Sequence, residues 1–228
     1  MEKIGVEGIY EHGSSVIMNR RVLGKGFSSI VLLGRHSRAG VIVLKIRRFD
    51  SKRDSLEREA LLLESLIETG YVPRVYYFSR DFILREFIEG DTLNVFLEHS
   101  IKDISLIRRL VRTLLISASI LDLYHVDLEE ISRADRQIIV RDREPEKIYY
   151  IDLESARVSD RASNLTKILS YIFTKKVNDT RIIDVLRLSD RDIESIRLIA
   201  RVYKRENDHM VRRLLVDRII LEMLGDEI

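Results

Sequence analysis

The stretch that most constrains this chain is Leu23-Gly24-Lys25-Gly26-Phe27-Ser28-Ser29-Ile30-Val31, together with Lys45 fourteen residues further on. Two glycines between apolar runs make a turn, and Val41-Ile42-Val43-Leu44 then reads as a buried strand that ends in a single cation. A lysine leaving such a strand either snorkels to water or meets an anion, because an unpaired buried charge is costly. Glycine-turn amides with one ammonium beside them form a cradle for phosphate. Each part also has a plain structural reading, an ordinary hairpin for the turn and a surface strand end for Lys45. A phosphate site asks for two further groups: a carboxylate to hold the lysine and another to hold a metal.

The surrounding pattern fits a small antiparallel meander. Residues 3–22 read as a strand-rich lead-in with Gly5, Gly8 and Gly13 as turn points, and strands are expected over 21–23, 30–33 and 41–46. The period then changes. Leu56, Ala60, Leu63 and Ile67 recur at helical spacing, Asp54 or Ser55 can cap that helix, and Gly70 stops it. A hairpin over 75–78 and 82–87 turns at Ser79-Arg80-Asp81. Beyond residue 90 the pattern becomes helical, over 92–99, 103–124 and again from about 161 to the end. A charged loop at 125–137 and short strands at 138–140 and 148–152 interrupt it.

Composition narrows the chemistry. The 228 residues suffice for one large domain or two small lobes with a real core. There is no cysteine, which excludes a disulfide, a thiolate nucleophile and a cysteine-bound metal. The net charge of +2 singles out neither nucleic acid nor a membrane, and no apolar run is long enough to span one. Met1-Glu2-Lys3-Ile4-Gly5 lacks the apolar core of a signal peptide, so a cytoplasmic location is expected. One glutamine, five asparagines and abundant charge suggest a thermophilic source.

Both carboxylates have candidates. Glu59 and Glu64 flank the apolar stripe of the first helix, one on each side, while Glu57 and Glu68 point further out, so helical geometry does not choose between the first two. Asp152 ends the apolar run Ile148-Tyr149-Tyr150-Ile151, where one carboxylate is well placed to ligate Mg²⁺ bridging phosphates. The basic segment Arg201-Val202-Tyr203-Lys204-Arg205, with Arg212-Arg213, reads as a solvated helix face or as a contact for RNA.

Gly24, Gly26 and Val31 fit the Gly-x-Gly-x-x-Gly-x-Val pattern of protein kinases, with Ser29 where the third glycine stands. Six further segments follow in family order: Lys45-Ile46-Arg47-Arg48 with Asp50 and Arg53; Ser55-Leu56-Glu57-Arg58-Glu59-Ala60; Glu86-Phe87-Ile88-Glu89-Gly90; Ser132-Arg133; Ile151-Asp152-Leu153-Glu154; and Asn164-Leu165-Thr166. Over residues 22 to about 173 the chain therefore resembles the protein-kinase superfamily. Within it, the chain is similar to the small archaeal predicted serine/threonine kinases related to RIO kinases and to the kinase subunit of the KEOPS tRNA-modification complex. The resemblance implies a bilobal α+β fold. Its N-lobe, an antiparallel sheet with one helix, would occupy 1–89, and a reduced, mostly helical C-lobe 90–228. It also implies ATP and Mg²⁺ (or Mn²⁺) as cofactors, an unknown protein substrate, and an RNA or ribonucleoprotein partner as a further option.

Residue roles follow from the same resemblance. Gly24, Lys25, Gly26 and Val31 would cover the nucleotide, and Lys45 would contact its α- and β-phosphates. Glu59 would hold Lys45 in preference to Glu64, because it lies well ahead of Gly70-Tyr71-Val72-Pro73 as in the RIO-like group. Glu86 and Ile88 would lie in the hinge that binds adenine through backbone groups, and Asp152 would hold the metal. The catalytic loop departs from the pattern. His125-Val126-Asp127 matches His-x-Asp by identity, yet the following strand starts eleven residues after Asp127. A register without an early gap makes Glu130 the candidate base, slightly favoured on spacing, with Asp127 close behind. Neither register offers the usual asparagine, and Gln137, just before the strand, is the candidate second metal ligand. Leu153-Glu154 stands where Phe-Gly is usual. The 76 residues after Asp152 match the reduced C-lobe of RIO-like kinases. The alternative reading is a nucleotide-binding pseudokinase or interaction module.

Overall fold

The computed structural model describes residues 4–129, 131 and 134–225. It is a mixed α+β structure with antiparallel sheets, and its chain divides into two compact units, Met1–Ile88 and Glu89–Ile228.

In the first unit, β1 (Val6–Tyr10) leads into a separate hairpin of β2 (Ser15–Ile17) and β3 (Arg20–Val22). Met18 and Asn19 at its tip both take positive φ, the geometry that matches the twist of a two-residue hairpin. Next come β4 (Gly24–Lys25), β5 (Ser29–His36), β6 (Gly40–Arg47), helix α1 (Glu57–Ser65), β7 (Val75–Phe78) and β8 (Phe82–Glu86). The main sheet runs β1-β5-β6-β8-β7, with β4 paired to β5. Period-two alternation separates two layers of core. Ile42, Leu44 and Leu84 pack with Val6 on one face, while Ile83 packs with Leu56 and Ala60, around the start of α1, on the other. Fully burying a leucine such as Leu63 or Leu66 is worth about 1.5–3 kcal/mol. Ser55 Oγ accepts the Glu57 N–H at 2.9 Å. A 3-10 turn over Ile67–Thr69 closes on Gly70 at φ +74°.

The second unit starts with β9 (Gly90–Thr92), α2 (Leu93–Ser100) and α3 (Ile104–Leu123). Thr92 and Asp103 cap the two helices by accepting from Val95 N and Leu106 N. Then follow β10 (Val126–Asp127), α4 (Ala134–Gln137), β11 (Ile138–Arg141), β12 (Ile148–Tyr150) and β13 (Arg157–Val158). β9 joins β11 and β12 in one sheet, and β10 pairs with β13. Gly90 is required by close approach, since a Cβ there would stand 2.3 Å from the Val140 carbonyl oxygen. The chain continues through α5 (Asn164–Thr174), the hairpin β14 (Lys176–Val177) and β15 (Thr180–Arg181), α6 (Ile182–Val185), α7 (Asp190–Arg205) and α8 (His209–Leu224). α3 is the spine, with Leu110, Leu114, Ala118 and Leu121 fully buried.

The charged loop expected over 125–137 contains a buried strand, β10, and a helical turn, α4. Charge patterning misses the strand because the Asp127 charge is neutralised by partners distant in sequence. Among the described residues, no helix is long and apolar enough to cross a membrane.

Candidate functional site

The glycine turn of the first unit is a strand-paired hairpin. Gly24 pairs with Val31 and Lys25 with Ile30, and Gly26 N–H donates to the Ser29 carbonyl at 2.9 Å. Phe27 at the tip is exposed, while Ser28 and Ser29 are buried. Arg48, just past β6, holds this turn from outside. Its backbone N–H donates to the Ser28 carbonyl at 2.7 Å and its guanidinium to the Gly26 carbonyl at 3.1 Å. Asp50 accepts from the same guanidinium, and that ion pair lowers the Asp50 carboxyl from its ordinary value. Lys25 is exposed nearby.

Register brings the next residues into one row. Gly24 faces Val31, Val31 faces Lys45, and Lys45 faces Ile83 across four neighbouring strands. Residues directly opposite in a sheet share a face, so Lys45 points with Ile83 towards α1. There its ammonium donates to both oxygens of Glu59, at 2.7 and 2.8 Å, with both side chains 4% exposed. Glu64, Glu57 and Glu68 are exposed. The choice between Glu59 and Glu64 that helical geometry left open is made by tertiary packing. Glu86 ends β8 opposite Ile42, three positions beyond the Lys45–Ile83 pair, and its carboxylate accepts the Arg74 N–H at 3.2 Å. Ile88 is buried at the end of this unit.

A second cluster lies wholly within the second unit. Asp127, on β10, is 4% exposed. Its carboxylate accepts from Lys167 Nζ at 2.6 Å and from the Arg157 guanidinium at 3.2 and 3.3 Å. The backbone on either side of it is gripped by Asn164 at the start of α5. Asn164 Oδ1 accepts the Leu128 N–H at 2.8 Å, and its amide donates to the Val126 carbonyl at 2.6 Å. Asn164 is in turn held by Asp122, on the last turn of α3, through its backbone N–H at 2.6 Å and its side-chain amide at 2.8 Å. The second Asp122 oxygen accepts from Leu165 N–H and from the Tyr203 hydroxyl at 2.8 Å. Burial pushes the Asp122 carboxyl up to about 6 against the opposing pull of the Asn164 and Leu165 N–H groups, the Tyr203 hydroxyl and the Arg212 charge, and Tyr203 is raised with it, chiefly by its own burial.

His125 precedes the strand at φ +56°, and its carbonyl accepts the Ser159 N–H at 2.8 Å. Glu130, the base favoured on spacing, lies outside the described residues, as do Ser132 and Arg133. Gln137 ends α4 half-buried, and its carbonyl accepts the Ile151 N–H at 2.8 Å, which ties it to the strand leading into Asp152. Asp152 is half-buried just beyond β12, and one of its carboxylate oxygens accepts the Glu154 N–H at 3.3 Å. Leu153 is buried.

Sequence reasoning missed Asp122, Lys167 and Arg157, and it singled out Asn164-Leu165-Thr166 without giving Asn164 a role. Asn164, a polar residue buried at the first position of an amphipathic helix, left no local signal of its role. Two residues of the basic segment read as a solvated helix face or an RNA contact are buried instead. Tyr203 is 1% exposed, and Arg212 is buried over its ring at 4.8 Å while donating to the Glu206 carbonyl. No family model matches the chain, and neither does any curated protein.

Proposed function

We propose that the protein is an ATP- and Mg²⁺-dependent protein kinase of reduced, RIO-like form, which passes the γ-phosphate to a serine or threonine hydroxyl. The observation that carries this reading is the Lys45–Glu59 pair, a buried lysine held at both carboxylate oxygens on the same sheet row as a glycine hairpin. A buried ion pair is no efficient source of stability, because desolvation offsets most of the attraction. A buried cation that can trade part of its carboxylate for phosphate oxygens has a purpose that stability does not supply.

In this reading the hairpin from Gly24 to Ser29 covers the phosphates with backbone, Val31 packs against the base, and Lys45 neutralises α- and β-oxygens while Glu59 keeps it in place. The backbone from Glu86 to Ile88 meets adenine. Asp152 offers one hard oxygen ligand, which suits Mg²⁺ because that ion is held by one or two carboxylates plus phosphates and water. The bound metal supplies charge neutralisation for the transferred phosphoryl group. Asp127 accepts the proton of the acceptor hydroxyl. Its flanking peptides are clamped by Asn164, so its position is set to the precision that phosphoryl transfer requires.

ATP turnover and autophosphorylation of wild type, Lys45→Ala, Asp127→Asn and Asp152→Ala test the reading. Each substitution is expected to lower turnover by roughly a hundredfold or more. Equal turnover in all four proteins would sink it. One observation favours a second reading, a nucleotide-binding module without catalysis: Asp127 is already engaged by Lys167 and Arg157. That reading expects ATP to raise the melting temperature through Lys45 while phosphate release stays at background.

A further inference from the structure

α8 carries apolar side chains on more than one side, with charged residues between them. Val216, Ile219, Ile220 and Met223 are buried, yet Met210, Leu214 and Leu221 on another side are exposed, Leu214 by 66%. These exposed apolar side chains form a second, outward row that nothing among the described residues covers. The neighbouring helix α7 repeats the pattern. Ile193, Ile196 and Tyr203 face inwards, while Leu198 and Val202, one turn apart, are 52% and 53% exposed. Leu198, Ile199, Val202 and Leu215 line a groove of about 550 Å³ between the two helices, with Arg201 and Arg205 at its rim. Among the described residues neither arginine forms an ion pair.

From this face we infer that the α7–α8 hairpin is the contact between two copies of this chain. The argument is the order of residues along the exposed side of α7: Glu194, then Leu198, Arg201 and Val202, then Arg205. The first turns are acidic and the last basic. A two-fold axis near residue 200, in the second half of α7, sets Leu198 against Val202 of the other copy and brings Glu194 within reach of Arg205. Such self-complementarity is what an isologous interface requires. Glu194 is engaged only loosely at home, by Arg197 at 3.9 Å, and is free to exchange. RNA fits the face poorly. No aromatic side chain lines the groove for bases to stack on, and Glu206 lies beside the two arginines.

Size sets the strength. Each helix has 16 residues, about 24 Å at 1.5 Å per residue. Two helices side by side therefore offer roughly 500 Å² per copy, at the small end of specific interfaces, and the dimer should be weak and concentration-dependent. The inference stands apart from the nucleotide reading, since no residue is shared.

Sedimentation or light scattering across a concentration series tests it. The mass should rise from 26.7 kDa towards twice that value as concentration increases. Leu198→Glu should keep the protein monomeric throughout, with an unchanged melting temperature because the side chain is exposed. Glu194→Arg and Arg205→Glu should each weaken the dimer tenfold or more, and the double variant should recover most of the loss. Within one helix these positions are eleven residues, about 16 Å, apart, so recovery reports pairing between copies rather than within one. A monomer at every concentration, a dimer indifferent to Leu198→Glu, or an absence of recovery in the double variant would overturn the inference. So would a monomer that binds RNA through Arg201 and Arg205.

Discussion

Lys45 in the first unit and Asp122 in the second are both ionisable groups almost wholly removed from water, and their burial is compensated in opposite ways. Lys45 faces a full opposite charge, with two short hydrogen bonds to one carboxylate. Asp122 faces no cation at hydrogen-bond distance. It is held by two backbone N–H groups, an amide and a phenol. An ion pair can change partners, because either member keeps its charge when a new counter-ion arrives. A network of neutral donors cannot; it can only hold things in place. Lys45 is accordingly suited to meet a ligand, and Asp122 to fix the peptide run from Val126 to Leu128 through Asn164.

The largest expected effect breaks the first half of that comparison. Lys45→Met should destabilise the protein by about 3–5 kcal/mol in urea or thermal unfolding, because buried Glu59 loses the ammonium that binds both its oxygens. Lys45→Met with Glu59→Leu should recover most of that loss, since an apolar pair of similar volume removes both desolvation costs. ATP should stabilise neither variant. A single variant that costs under about 1 kcal/mol would mean that the pair is hydrated in solution and that the contrast with Asp122 fails.

The second prediction concerns pH. The Asp122 carboxyl rises from about 3.8 in the unfolded chain to about 6 in the folded one, so the native state holds its proton more tightly. Its contribution is therefore fully present below about pH 4 and is lost as pH rises through 6, by up to roughly 3 kcal/mol at 1.36 kcal/mol per unit. Arg212 and Tyr203 are the charged and titratable groups that act on it, and Arg212 pulls the other way. Other carboxylates titrate in the same window, so the measurement is a difference. Stability of wild type minus Asp122→Asn should fall between pH 4 and 6 and stay level above 7. A flat difference would show that Asp122 is not compensated in the manner described.

The same contrast explains what the sequence made legible. Most strands and helices and the position of Lys45 are written in local periodicity, which is why the strands at 30–33 and 41–46, α1, α3 and the hairpin at 75–86 read correctly, whereas the strand expected at 21–23 pairs with β2 outside the main sheet. The lysine's partner needed one step more. Glu59 and Glu64 are equivalent on a helical projection, and only the side of α1 that meets Ile83 distinguishes them. The second cluster had no local signature. Asp122, Asp127, Asn164 and Tyr203 are separated by up to 81 residues, and none belongs to a periodic stripe that singles it out. Neutralisation at a distance also turned an apparent charged loop into buried β10, while the Tyr203 ring and the Glu206 carbonyl took Arg212 out of the solvated face to which charge patterning assigned it.

Asp127 lies between the two cases, which makes Arg157 the finest test. Asp127 is buried like Asp122 but is paired with cations like Glu59, and its two partners are unequal. Lys167 is 30% exposed, binds at 2.6 Å and also donates to the Leu128 carbonyl, whereas Arg157 is 56% exposed and shares itself with Glu129. A half-exposed guanidinium that leaves Lys167 behind should contribute little to stability. Arg157→Ala is expected to cost under about 1 kcal/mol, and less still when salt screens the wild-type pair. Urea unfolding of both proteins at low and high salt measures this directly. A cost above about 2 kcal/mol that salt leaves unchanged would move Asp127 into the class of Lys45, whose counter-ion cannot be removed without stranding a buried charge.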